Sequence, residues 1–372
     1  MATPHPAPFS DWTYRKKITI QSSQVDATLT DFPVYLDLAD LGSDFFSGVK
    51  SDGSDIRIAA ANGTTELARD VVGIDTGLET GELHFKAPSL SSSTDTDFYI
   101  YYGNAVATEP AVSATNGRNT VWSDYAAVYH MEGSPASAVD SAGNISASDT
   151  GTITSSTGKH GEGFDFQGSN DWLDLGDNTE FDWTTTFTLQ AWAYTNITSS
   201  DGTIISKGSS SSAEILYWFD ADTNDFTLGT TGGSGFVNGS SGNSSPNVQA
   251  NTWYMTHATY GSGTQRQYTN AVLRNAKTQS TSITQSTNNL YIGDQTGGGR
   301  SFDGVLDEVR ITKLERSANW ISTEYNNQSS PATFYTIGTE EEGGGATGMV
   351  VTNLISIGNI TTLTNISSII GT

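Results

Sequence analysis

Cleaving a sugar needs two carboxylates held at a fixed separation. On a strand they come as an E-x-D-x-E run, or as E-x-D-x-x-E with a bulge that keeps the acids on one face. The chain contains neither. Its nearest substitutes are Asp174 with Asp177 and Asp307 with Glu308. The second pair are neighbours on an apparent strand and are expected to face opposite sides. The histidines, His5, His84, His130, His160 and His257, show no H-x-x-x-H spacing for a helical metal site. His130 and His257 lie within apolar strands and read as satisfied core or edge histidines. With no Cys at all, disulfides, Cys-based zinc sites and thiol catalysis are excluded. No G-x-S-x-G elbow stands on a strand-to-helix turn. The run Gly297-Gly298-Gly299 lacks the G-K-[ST] and the following helix of a phosphate loop. The expectation is a protein that is not an enzyme.

Recognition chemistry has better material. A sugar is gripped by flat aromatic faces and planar hydrogen-bonding side chains at a groove. Trp218 and Trp253 are the candidate ligand-binding aromatics, with Tyr217, Tyr254 and Tyr260 beside them. Adjacent aromatics on one strand point to opposite faces, so only some can line a groove and most belong to the core. Trp172, Trp192 and Phe187 are assigned to the core. Arg300, closing Gln295-Thr-Gly-Gly-Gly-Arg300, either grips a carboxylated sugar or is a solvated turn residue. This loop and residues 229–245 are where variable ligand contacts are expected.

The elements that must hold these residues are strands. Gly is abundant, at 39 of 372 residues, short apolar runs alternate with Ser, Thr and Asn, and no long segment keeps a 3.6-residue period. The fold class is therefore all-β, two sandwiches in series. A Pro-rich arm covers residues 1–10. Trp12–Ile20, Asp31–Leu38, Ser54–Ala59, Glu82–Lys86 and Asp97–Tyr102 then alternate as strands of a first domain, residues 11–122. Residues 114–117 read as a hinge. A second domain follows over 123–340. In it, Gly163-Phe-Asp-Phe-Gln-Gly-Ser-Asn-Asp-Trp-Leu-Asp-Leu-Gly-Asp177 is answered by Phe302-Asp-Gly-Val-Leu-Asp-Glu-Val-Arg-Ile311. Residues 316–327 read as one short helix with Ser317 as its N-cap.

The first set of motifs, W-T-Y-R-K-K-I-T-I, D-F-P-V-Y-L, S-D-I-R-I-A and Y-I-Y-Y-G-N-A, resembles an uncharacterised bacterial and phage domain family of no established activity. The second set resembles the laminin-G-like, concanavalin-type jelly rolls. Together the resemblances imply a protein of a cell or virion surface. The jelly-roll resemblance further implies a structural Ca²⁺ at Asp307, with Glu132 and Asp171 as weaker ligands; hard oxygen donors suit that ion.

Residues 341–372 form a Gly-rich linker and a tail in which Val351, Leu354, Ile357, Ile360, Leu363, Ile366 and Ile369 recur every third residue. Neither strand nor helix has that period. Three-fold winding of three chains does, as does an extended segment in a partner's groove, so the tail is expected to oligomerise or anchor, with a homotrimer or other virion subunits as partners. The net charge of −24 repels phosphate backbones and argues against nucleic acid as a partner. No window approaches a membrane span, and Met1–Pro8 has no secretory-signal pattern. The leading expectation is a non-enzymatic exterior protein of a virus particle, a decoration, head-fibre or tail-fibre component whose jelly roll touches host glycans. The alternatives are a secreted bacterial or archaeal cell-surface adhesin and a polysaccharide-degrading spike.

Overall fold

The computed structural model describes residues 3–209, 213–230, 247–278 and 282–343. The apolar repeat from Val351 to Ile369 and most of the 229–245 loop lie outside them. Among the described residues every strand pairing is antiparallel, and no helix is long and apolar enough to cross a membrane.

In the first sandwich, Tyr14–Ile20 buries Ile18 and Ile20 and leaves Lys17 and Thr19 half-buried, as its alternation requires. It pairs with Thr96–Tyr102, which leads on to Arg57–Ala60 and Glu66–Leu67. A three-stranded sheet, in the order Leu29–Asp37, Thr80–Leu90, Arg69–Asp75, packs across it. Phe32, Val34, Leu36, Leu83 and Phe85 meet Ile18, Ile58 and Ile100 in the core.

The other edge of Tyr14–Ile20 is closed from the far end of the chain. Tyr335–Ile337 pairs there with Ile18 opposite Ile337, and Glu341–Glu342 continues the edge. The helix Ala318–Ser329 is capped by Ser317, whose side chain accepts from the Trp320 amide at 3.2 Å. Trp320 packs on Phe32, and Trp320, Phe334 and Tyr335 complete the first core. The span 123–340 expected for the second domain therefore divides. Its last sandwich strand ends at Thr312, and residues 318–343 finish the first domain instead. The expected hinge is a pinned turn: Asn116 O accepts from the Arg69 amide, Asn116 Nδ2 donates to Glu66 at 2.7 Å, and a Cβ on Gly117 would stand 2.1 Å from Ala111 O.

The second sandwich is a jelly roll of an eight-stranded and a six-stranded sheet. The first runs Thr154–Thr157, Glu162–Gln167, Asp303–Thr312, Phe187–Thr195, Trp253–Gly261, Thr264–Thr269, Val272–Thr278, with Tyr125–Tyr129 also on Asp303–Thr312. The second runs Asp225–Thr230, Ile215–Asp220, Gly202–Lys207, Leu290–Ile292, Trp172–Asp174, Ser148–Thr150. The two matching motifs of the sequence are neighbours, with Phe164 opposite Leu306 and Asp165 opposite Val305. Gly304 is required there: its φ is +143°, and a Cβ would lie 2.0 Å from Tyr194 O.

One irregularity in the eight-stranded sheet sets the chemistry of its outer face. Opposite Gln190–Trp192 the register of Asp303–Thr312 slips, and Glu308 has a φ of +51°. Leu306, Val309 and Ile311 enter the core, while Asp307, Glu308 and Arg310 all turn to the other side. Asp307 and Glu308 thus share a face, contrary to simple alternation, because a bulged residue consumes one step of the pleat.

Candidate functional site

The outer face of the eight-stranded sheet is covered by the first domain. Glu82 and His84 are two residues apart on Thr80–Leu90 and so project together from the three-stranded sheet, away from Leu83 and Phe85. They meet His130, just past Tyr125–Tyr129, and Glu308 on the bulge. All four are buried, and one ligand atom from each lies within 4.8 Å of the others. His84 Nε2 is 3.0 Å from Glu82 Oε1 and the two imidazoles stack at 4.9 Å. One Glu308 oxygen makes a short contact with His130 Nδ1. Its other oxygen takes Arg310, whose Nη1 reaches Glu324 at 2.7 Å, and Glu324 in turn meets His257 Nε2 at 3.1 Å. Asp70 Oδ2 receives Trp122 Nε1 at 2.9 Å and faces His130 Nε2 at 3.2 Å. Trp122, with Arg310 over its ring at 4.8 Å, floors the cluster.

Burial and neighbouring charge split the ionisable groups. Burial raises Glu308, but Arg310, His130 and His84 outweigh it and hold its carboxyl well below the usual range. For Glu82, burial and the charges of Glu308 and Asp307 prevail and push it well above that range. Burial lowers His84 far below an ordinary imidazole. Against its own burial, His130 is pushed up to about 9 by Glu308 and Asp70. Proton occupancy is thus divided within the cluster, the response of buried charges that cannot all ionise together. Two clefts flank it, one of about 450 Å³ reaching Asp70 and His130 and one of about 670 Å³ reaching Glu82 and His160.

The residues singled out in the sequence are dispersed. Trp218 and Arg300 do meet, the guanidinium lying 5.1 Å from the centre of the indole, but Trp218 is buried and Arg300 also reaches Asp201. Trp253 is on the opposite sheet, against Tyr194 at 5.4 Å, so the three do not form one site. Asp307 Oδ2 accepts from the amides of Lys159 and His160, and Glu132 Oε1 accepts from the Glu162 amide. These two carboxylates clasp the same turn, and the buried Asp307 Oδ1 has no hydrogen-bond partner, which fits a cation. Asp171 gives both oxygens to the amides of Thr152 and Gln167, so it builds its own loop and does not join them. Phe187 is in the sandwich core. Trp192 is buried elsewhere, in the joint between domains, donating to Gln328 at 2.6 Å.

Trp172, expected in the core, is half-buried on the outer face of the six-stranded sheet. It stands beside Tyr291 at 5.6 Å, with Asp174 on the same face and Asn289 Nδ2 donating to both Asp174 oxygens at 3.0 Å. Alternation in Trp172-Leu173-Asp174 and Leu290-Tyr291-Ile292 was the available signal: Leu173, Leu290 and Ile292 fill the core, so their neighbours must face out. The clustering of His84 and His130 had no such signal, since they belong to different domains.

Residues 167–322 match the concanavalin A-like lectin/glucanases superfamily, and residues 52–144 match a domain of unknown function (DUF2341). The matched segments contain the S-D-I-R-I-A and Y-I-Y-Y-G-N-A motifs of the first resemblance and most of the paired motifs of the second, while W-T-Y-R-K-K-I-T-I and D-F-P-V-Y-L precede them. No curated protein matches the chain. Among solved structures, domain 4 of AbnA, a GH43 extracellular arabinanase from Geobacillus stearothermophilus in complex with arabinotriose, is 16% identical with a TM-score of 0.44, covering 55% of this chain and 98% of that one. The binding domain of botulinum neurotoxin serotype D is 14% identical with a TM-score of 0.42, covering 55% and 51%. Trypanosoma rangeli sialidase in complex with sialic acid is 10% identical with a TM-score of 0.43, covering 67% and 42%. The chain spans about half the length of the neurotoxin domain.

Proposed function

We propose that the chain is a non-enzymatic adhesion module of an exterior surface, a virus particle in the first instance, and that it holds glycans on the outer face of its six-stranded sheet. The observation that carries this reading is the half-buried Trp172–Tyr291 pair with the Asp174–Asn289 amide–carboxylate pair beside it. Aromatic faces supply the apolar contact with a sugar ring, and planar polar groups read its hydroxyls. Ser148 and Thr150, exposed and opposite Asp174 and Trp172, extend the polar rim. The bulge at Glu308, which brings Asp307 and Glu308 onto a common face, buries both beneath the first domain, out of reach of a polysaccharide, which favours binding over hydrolysis.

Attachment to the particle belongs to the period-3 tail in this reading. Calcium belongs at Asp307 and Glu132, where it would hold the 159–162 turn; a melting temperature that rises with Ca²⁺ and falls with a calcium-selective chelator supports that assignment, and indifference removes it. The binding claim is tested on a glycan array with the full chain, Trp172→Ala and Tyr291→Ala. Wild type is expected to select a glycan class, with affinity falling at least about tenfold in each variant at an unchanged fold. Binding that survives both substitutions, or none by wild type across a broad array, overturns it.

A further inference from the structure

The carboxylate–histidine cluster between the two domains is used by nothing in the binding reading, and its geometry is that of a cage. We propose that Glu82, His84, His130 and Glu308 form a structural site for one divalent transition-metal ion of the zinc class, two ligands coming from each domain, so that the ion rivets the sandwiches together.

Zinc holds nitrogen and oxygen ligands at 2.0–2.2 Å, which makes the edge of its ligand tetrahedron roughly 3.3 Å. Three edges here are 3.0 Å between His84 Nε2 and Glu82 Oε1, 3.7 Å between His130 Nδ1 and Glu82 Oε1, and 3.8 Å between His84 Nε2 and Glu308 Oε2. The last two are too long for hydrogen bonds, while Glu82 bonds His84 and Glu308 bonds His130, so two bonded pairs face one another across a common centre. Glu82 Oε2 is buried and has no hydrogen-bond partner. The oxygen that faces the imidazoles is Oε1, so Oε2 shows only that the same carboxylate lacks a partner, which is costly for a buried oxygen, and is not itself an edge of the cage.

The surroundings suit the same ion. Asp70 stands at His130 Nε2, on the side away from the cage, and is itself fixed by Trp122; a carboxylate behind a ligating imidazole orients the ring and sets its tautomer. Arg310, itself held by Glu324, binds Glu308 at Oε2, the oxygen that also faces His84. Two imidazoles with two carboxylates favour zinc over calcium, which takes oxygen ligands alone. Four protein ligands close the coordination shell, the pattern of a structural site and not of a catalytic one. Each flanking cleft is lined by one of the four residues, His130 in one and Glu82 in the other. The site stands whether or not the outer sheet face binds sugars.

The test uses the full chain. After equilibration with Zn²⁺ and gel filtration, wild type is expected to retain one zinc per chain by mass spectrometry of the metal. Co²⁺ in its place should give the intense visible bands of four-coordinate cobalt, and a zinc chelator should lower the melting temperature. His84→Gln and His130→Gln should each lose the retained metal and the bands. Where a substitution prevents folding, the cobalt spectrum of wild type decides alone. No retained zinc, the weak bands of six-coordinate cobalt, metal that survives both substitutions, or stabilisation by Ca²⁺ but not Zn²⁺ would each overturn the proposal.

Discussion

Glu308 occupies a backbone region that non-glycine residues enter at a cost of about 1–3 kcal/mol, and the strain serves to place its side chain. From the bulge it reaches His130 and Arg310 at once, which a regular strand would not allow with Asp307 on the same face. Arg310 links the two buried carboxylates Glu308 and Glu324. Replacing it by Met strands both, so Arg310→Met is expected to lower stability by about 3–5 kcal/mol in urea unfolding. Adding Glu308→Gln should recover part of the loss, and strictly additive losses would show that the two side chains are not coupled. Simple alternation misread this strand although its apolar spacing held the clue. Leu306, Val309 and Ile311 are separated by three residues and then two, and a regular one-sided strand has no interval of three. The Glu308 neighbours Glu82 and His84 were beyond sequence reading, since they come from another domain.

At the scale of elements, the helix Ala318–Ser329 does two jobs. Towards the first domain it sends Trp320, Thr323 and Asn327; Thr323 Oγ1 accepts from the Asp26 amide at 3.1 Å, and Asn327 binds both the N–H and the C=O of Tyr35, at 2.7 and 2.9 Å. Towards the jelly roll it sends Glu324 and Gln328. Asn327→Ala leaves a buried backbone pair unsatisfied and is expected to cost about 1–3 kcal/mol, read as a shift of the urea midpoint at unchanged slope. Glu324 gives the wedge an acid limit. Burial raises its pKa, but His257 and Arg310 outweigh it, so the folded value lies below the ordinary 4.5. Its contribution is complete above the unfolded value and is lost as pH falls through the folded one. Melting temperatures of wild type and Glu324→Gln should therefore differ at neutral pH and converge in acid; a constant gap would refute the assignment. The helix and its Ser317 cap were legible in the sequence, but its destination was not. Glu324, Asn327 and Gln328 are buried polar residues with partners on two domains, and a polar helix face normally reads as solvated. The closing strand Tyr335–Ile337 was lost similarly, because three residues are too few to show a period.

As a whole, the molecule divides the faces of its jelly roll. The eight-stranded sheet gives its outer side to the first domain and the helix, while the six-stranded sheet keeps Trp172 and Tyr291 at its surface. The chain crosses between the sandwiches twice, at the pinned 114–117 turn and again into the helix, so the first sandwich is not complete without the segment that follows the second. Assembly is a separate matter, assigned to the tail: removing residues 344–372 is expected to convert an oligomer to a monomer in light scattering without altering the melt, and an unchanged mass would end that role. What makes the sandwiches one presenting block is the buried joint at Glu308, Arg310 and Glu324. Scanning calorimetry of the chain lacking that tail tests the joint without interference from assembly. One transition is expected, with calorimetric and van't Hoff enthalpies in agreement, and Arg310→Met should split or broaden it. Two independent transitions in the protein without that substitution would mean that the sandwiches fold and melt apart.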